Sequence, residues 1–221
     1  MYKLIATSFL FLFTVTSTWS QTKDDRAELA KQTITQLKDG ALLIRLSSKS
    51  QTLELLRERG YPKRADHIEK VQAEKNKEIV KAYSTIGFTK VYFFYSEHSE
   101  NVRNGNLEGI LLDTALNKVT GANIKHYVVG ATGPLPKNYE YKESNDDNTP
   151  ANVTEKKTYG GGSNLSILSF YLMDKNFDLL PDPFPNHQRY HPVILTTLTH
   201  EEVAEKIDEK LVKYYEKVGD S

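Results

Sequence analysis

The 221-residue chain contains no cysteine. That absence excludes disulfides, thiolate metal sites, thiol catalysis and a cysteine-linked lipid anchor. No charge of one sign dominates, since 29 basic residues face 29 acidic ones. Such balance gives no footing for nucleic acid or an anionic membrane as partner. Long apolar runs are also scarce. One stands at the start, over residues 4–15, and no second hydrophobic span follows it.

That first run has the build of a secretory signal. Lys3 gives a positive start, and Thr18-Trp19-Ser20 places small residues at the two positions a signal peptidase reads. The run is short for a transmembrane span. The expectation is a signal peptide over residues 1–20, cleavage after Ser20, and export of the remainder to the periplasm or the outside of the cell. Losing Lys3 leaves 28 basic against 29 acidic residues. Residues 21–221 suffice for one sizeable domain.

The strongest strand signal is residues 167–173, ILSFYLM, broken only by Ser169 and preceded by Gly160-Gly161-Gly162. A short apolar run bounded by turn residues fits a strand covered on both faces. Asp174-Lys175-Asn176 then supplies turn chemistry. Phe177, Leu179 and Leu180 return, and Pro181, Pro183 and Pro185 end regular pairing.

Helical spacing of Ala27, Ala30, Ile34 and Leu37 predicts a helix over 24–38 with Gly40 as its C-terminal cap. Residues 41–46, ALLIRL, read as a strand. Ser47, Ser48 and Ser50 offer caps to a helix carrying Leu53, Leu55 and Leu56. Gly60-Tyr61-Pro62 breaks it. A longer helix over 63–86 has the stripe Ile68, Val71, Ile79, Ala82, Tyr83 and Ile86. Residues 91–95, VYFFY, form a strand, followed by a polar loop or short helix. Turns at 105–109, a short strand at 110–112 ending in Asp113, and a strand at 124–129 followed by glycines and prolines are expected next. Residues 137–157 are polar and read as a long surface loop. Residues 193–198 read as a last strand or extended edge. Thr199 with Glu202 forms a capping box for a helix over 201–217, buried through Val203, Ile207, Leu211 and Tyr214. Strands alternating with helices, then a sheet-rich half, predict an α/β fold: a mixed sheet with helices packed on it.

Three stretches resemble a family of exported α/β proteins associated with Bacteroidetes. They are LKDGALLIRLSSKSQTLELLRERG (37–60), VYFFYSEHSENVRNGNLEGILLD (91–113) and YLMDKNFDLLPDPFP (171–185). The resemblance implies export and an α/β fold. It brings no activity and no catalytic residue. A weaker likeness, carried by FYLMDKNFDLL and the C-terminal helix, is to the thioredoxin-like fold. The redox cysteines are missing after VYFFY, so that likeness implies no redox function.

No complete catalytic constellation emerges. Asp113 and Asp174 both end apolar strands, where α/β sheets gather ligands, and two carboxylates there suit acid–base work or a hard cation. Either one equally suits a turn. His187 and His191 are four apart, but Pro185 and Pro192 argue against the helix that would put both on one metal, and no third ligand presents itself. No metal site is therefore assigned. His98, with Ser96 and Glu97, sits just past a strand, where functional loops occur. Phe184 and Tyr190 suit an aromatic binding surface. Two readings stay open: a non-catalytic module binding an envelope protein or small ligand, and an exported hydrolase using Asp113, Asp174 and one of His98, His187 or His191.

Overall fold

The computed structural model describes residues 23–135, 168–191 and 196–219. The signal reading at 1–20, the loop at 137–157, Gly160 to Gly162, Ile167 and the start of the expected strand at 193–198 lie outside the described residues. In chain order the elements are α1 (Lys23–Asp39), β1 (Ala41–Leu46), α2 (Ser50–Glu58), α3 (Pro62–Tyr83) and β2 (Lys90–Tyr95). A 3-10 turn (Ser96–His98) leads into α4 (Ser99–Arg103), then β3 (Tyr127–Pro134), β4 (Leu168–Met173), β5 (His187–Arg189) and α5 (His200–Gly219).

The strands form one sheet in the order β2-β1-β3-β4-β5. β1 runs parallel to both β2 and β3, while β4 and β5 add antiparallel steps. The fold is thus α/β with a mixed sheet and helices packed on it. The sequence winds both ways from β1, so helices and loops cover both faces. Leu42, Ile44 and Leu46 enter a core shared with α1, α3 and α5. Ala41 and Leu43 point the other way, into a second core with Phe94, Val102, Leu111, Val129 and Met173. This period-two alternation, with both sides apolar, is what a parallel central strand requires.

α5 starts as its sequence dictates. Thr199 N–H donates to Glu202 Oε2 at 2.8 Å, and Glu202 N–H donates to Thr199 Oγ1 at 3.2 Å, a reciprocal capping box. Val203, Ile207 and Leu211 are buried, and Tyr214 is half-buried.

Several expectations are corrected. Gly40 does not cap α1 through left-handed backbone. A Cβ there would strike the carbonyl oxygen of His126 and come within 2.8 Å of that of Gln36, so the position needs glycine for close approach. No serine holds the N-cap position of α2. Lys49, at φ +55°, stands there with no side-chain cap, and from the helix Ser48 Oγ accepts only the Ser50 N–H, at 3.4 Å. α3 ends at Tyr83, leaving Ile86 in the following turn, and Val71 is exposed because the middle of α3 faces solvent there. Only Leu112 of the expected 110–112 strand pairs, exchanging both hydrogen bonds with Phe93 on the outer edge of β2. β3 begins later than expected and contains Gly130 and Gly133 instead of ending before them. Regular pairing stops at Pro181, Pro183 and Pro185 as expected, but it resumes beyond them in β5, which pairs with β4.

Candidate functional site

The parallel strands β1 and β2 end side by side, and their exits are stitched together. Ser48 N–H donates to Ser96 Oγ at 3.2 Å, and the two hydroxyls lie 3.1 Å apart. Behind them stands Asn76 of α3, buried and bonded through both its amide nitrogen and its amide oxygen. Its Nδ2 donates to the Ser47 carbonyl at 2.9 Å and its Oδ1 accepts from Gln72 at 3.0 Å. Satisfied in this way, a buried amide holds α3 rigidly against the end of β1.

Between these exits and the pair α2–α3 lies a crevice of about 740 Å³. Its walls include the hydroxyl-bearing Ser47, Ser48 and Ser50 and the half-buried Tyr95. Among the described residues the charged lining is Glu54, Glu58, Glu69 and Glu97 against one cation, Arg57. Arg57 is already engaged, donating to Glu69 at 2.6 Å and to Asp66 at 3.4 Å. These bonds raise the guanidinium pKa further, the Glu69 bond most. The crevice is therefore negative overall. It suits a neutral, hydroxyl-rich or cationic small molecule and repels an anion. Its place at the carboxyl ends of parallel strands is where open α/β sheets bind ligands.

The residues singled out by sequence are not brought together. Asp174 ends β4, which is antiparallel to β3, so it lies at the amino edge of the parallel strands. His98 lies beyond β2 at the carboxyl edge. A six-residue strand separates those edges by roughly 20 Å. His187 belongs to β5 at one rim of the sheet, and Asp113 follows the residue paired to β2 at the other. Among the described residues no three His, Asp or Glu side chains are grouped as metal ligands.

Each has local work instead. Asp113 Oδ1 accepts from the N–H groups of Ala115 and Asn117, both at 2.8 Å. Hydrogen bonding to Asn117 leads in holding its carboxyl below the usual carboxylate range. Asp174 Oδ1 accepts from Asn176 at 2.8 Å and Asp178 at 2.9 Å. The two turns are built alike, each closing an Asp N–H bond to the residue four later and each holding a bulky residue at positive φ, Leu116 at +63° and Phe177 at +68°. His98 is half-buried with Nε2 at 3.9 Å from Glu97. His187 Nδ1 lies 2.8 Å from Asn186 Oδ1, and its pKa is lowered to about 4, by burial first and then by Lys210 and Arg189. His191 is exposed, its Nδ1 at 3.2 Å from Thr197 Oγ1. Phe184 and Tyr190 are 1% and 4% exposed, so they belong to the core and present no ring to a partner.

Tyr190 serves a polar chain that sequence reasoning did not join. Its hydroxyl lies 2.8 Å from that of Tyr83 and 2.5 Å from Nδ1 of His200, with Thr132 Oγ1 at 3.5 Å. Burial raises both tyrosine pKa values and lowers that of His200. These residues come from α3, β3, the end of β5 and α5, and no spacing in the sequence links them.

Comparison of the chain with protein-family models, with curated proteins and with solved structures finds no match. No helix among the described residues is long and apolar enough to cross a membrane.

Proposed function

We propose that this chain is an exported, non-catalytic module that binds a small neutral or cationic hydroxyl-rich ligand in the crevice at the ends of β1 and β2. The single observation that carries the reading is the crevice's lining, which combines serine hydroxyls, carboxylates and one tyrosine at the carboxyl edge of two parallel strands. Hydroxyl and carboxylate oxygens accept hydrogen bonds from ligand hydroxyls or ammonium groups, while a half-buried ring gives an apolar platform. The dispersal of Asp113, Asp174, His98, His187 and His191 removes support from the hydrolase reading. Export rests on the charge and run of residues 1–20.

The test is an amide-resolved NMR titration of residues 21–221 with neutral disaccharides and, separately, with polyamines. Saturable shifts at Ser47, Ser48, Asn76 and Glu97, weakened at least tenfold (roughly 1.4 kcal/mol) by Tyr95→Ala, are expected. Shifts absent there for both classes would remove the proposal. Export is tested separately by sequencing the amino terminus of the secreted material, which should begin at Gln21.

A further inference from the structure

We infer that Arg45 and Arg103 form a site for a small carboxylate or phosphate anion on the sheet face opposite the crevice. The inference does not rest on the crevice reading, because it uses other residues on the other side of β1.

β1 is the central parallel strand, and five of its six residues are buried. Arg45 is the exception. Parallel strands are covered on both faces and read as near-continuous apolar runs, so an exposed arginine departs from that pattern. The register names its neighbours. Arg45 stands beside Phe94 of β2 and Ala131 of β3, and Ala131 stands beside Tyr171 of β4. Ala131 is the small member of that row and leaves room between the arginine and the tyrosine.

Phe177 joins the two arginines. Its ring reaches back from the turn after β4 to pack edge-on against Phe94 at 6.5 Å. The Arg45 guanidinium lies 5.8 Å from the ring centroid and that of Arg103 lies 5.5 Å from it. Two guanidinium groups thus share one aromatic ring. The ring's backbone is held at φ +68° by the Asp174 turn, whose hydrogen bonds fix where the ring points.

The charge is only partly neutralised in place. Among the described residues no carboxylate stands within ion-pair distance of Arg45. Arg103 has one partner, Glu100 at 2.8 Å. A ring quadrupole attracts cations but cannot discharge them. Guanidinium groups offer planar paired donors that match carboxylate and phosphate oxygens, and they do so while stacked on an aromatic face. An anion placed between the two would accept from both forks and relieve their mutual repulsion. Tyr171 stands on the same face, and the charge of Arg45 offsets part of the rise that burial gives its hydroxyl pKa.

The experiment is calorimetric titration of residues 21–221 with sodium phosphate and, in a second arm, with citrate, at fixed sodium chloride. Arg45→Gln, Arg103→Gln and Arg45→Lys are compared with Lys70→Gln, which removes an exposed charge from α3. The inference expects saturable binding of at least one anion, a tenfold or greater loss in Arg45→Gln and Arg103→Gln, a partial loss in Arg45→Lys, and wild-type affinity in Lys70→Gln. The arm that binds more tightly names the source, phosphate or carboxylate. Absence of saturable binding in both arms, wild-type affinity in Arg45→Gln, or an equal loss in Lys70→Gln would each overturn it. Melting temperature of each variant separates a lost site from a lost fold.

Discussion

The hydroxyl groups of Tyr83 and Tyr190, 107 residues apart in sequence, meet at 2.8 Å in the core. Tyr190→Phe leaves both Tyr83 and His200 short of a partner. A buried polar group without its bond costs about 1–3 kcal/mol, and urea denaturation should show a loss of that size. Tyr83→Phe removes one bond and leaves Tyr190 still bonded to His200, so its loss should be smaller. The double variant should lose less than the two single losses combined, since removing both partners leaves fewer unmet groups. Strict additivity in that cycle would show that the hydroxyls are not coupled.

Acid should weaken the fold through His187. Its folded pKa, about 4, lies below its ordinary value of 6.5. The unfolded chain therefore binds a proton that the native chain refuses, and stability is complete above about pH 6.5, declines down to about pH 4 and then levels. His200, also lowered by burial, acts in the same direction. For His187 the decline is on the order of 1 kcal/mol once its partial contact with solvent is allowed for. His187→Gln should flatten the slope of stability against pH in that window. An unchanged slope would place the proton uptake elsewhere.

Gly130 sits where the Phe170 ring needs room. An added Cβ would lie 2.6 Å from Phe170 Cζ, and that ring is stacked on Tyr83 at 4.2 Å with no exposed surface. The ring has nowhere to retreat, so Gly130→Ala should cost about 1–3 kcal/mol by overpacking. Thermal denaturation within a degree of wild type would mean that the ring moves freely.

Asp113 and Asp174 should act on stability alone. Asp174→Ala and Asp113→Ala remove the acceptors that shape their turns. Each should lower the melting temperature by a few degrees and leave the ligand binding proposed for the β1–β2 crevice unchanged. For Asp113 the folded pKa is depressed, so its contribution is present above the ordinary carboxylate range and disappears as the pH falls through its folded value. Equal melting of wild type and Asp113→Ala at neutral pH would contradict this role.

The elements legible in the sequence are those whose signal is local. ALLIRL lies between a glycine and serines, and it forms β1 over the expected residues. The spacing of Thr199 and Glu202 announces α5. The rest depends on partners distant in the chain. HQR has no apolar pattern, and β5 exists because β4 offers it an edge. YVVGATGP reads as a strand followed by a turn, yet its glycine makes room for a ring 40 residues later. Asp174 did mark a strand end, but the direction of β4 decides which edge of the sheet it joins, and direction has no local code. The crevice escaped notice because serines after one strand and an asparagine inside a helix look ordinary until the parallel pairing of β1 and β2 brings them together.

The pairing of Leu112 with Phe93 has a consequence for how molecules of this protein meet. β2 is a rim of the sheet, and its residues 91, 93 and 95 turn their peptide groups outward. Leu112 occupies both groups of the middle one. A foreign strand, or the same strand of a second molecule, would have to displace that residue before it could zip along the rim. One leucine thus works as a stopper against polymerisation in a chain that has no disulfide to lock its outline.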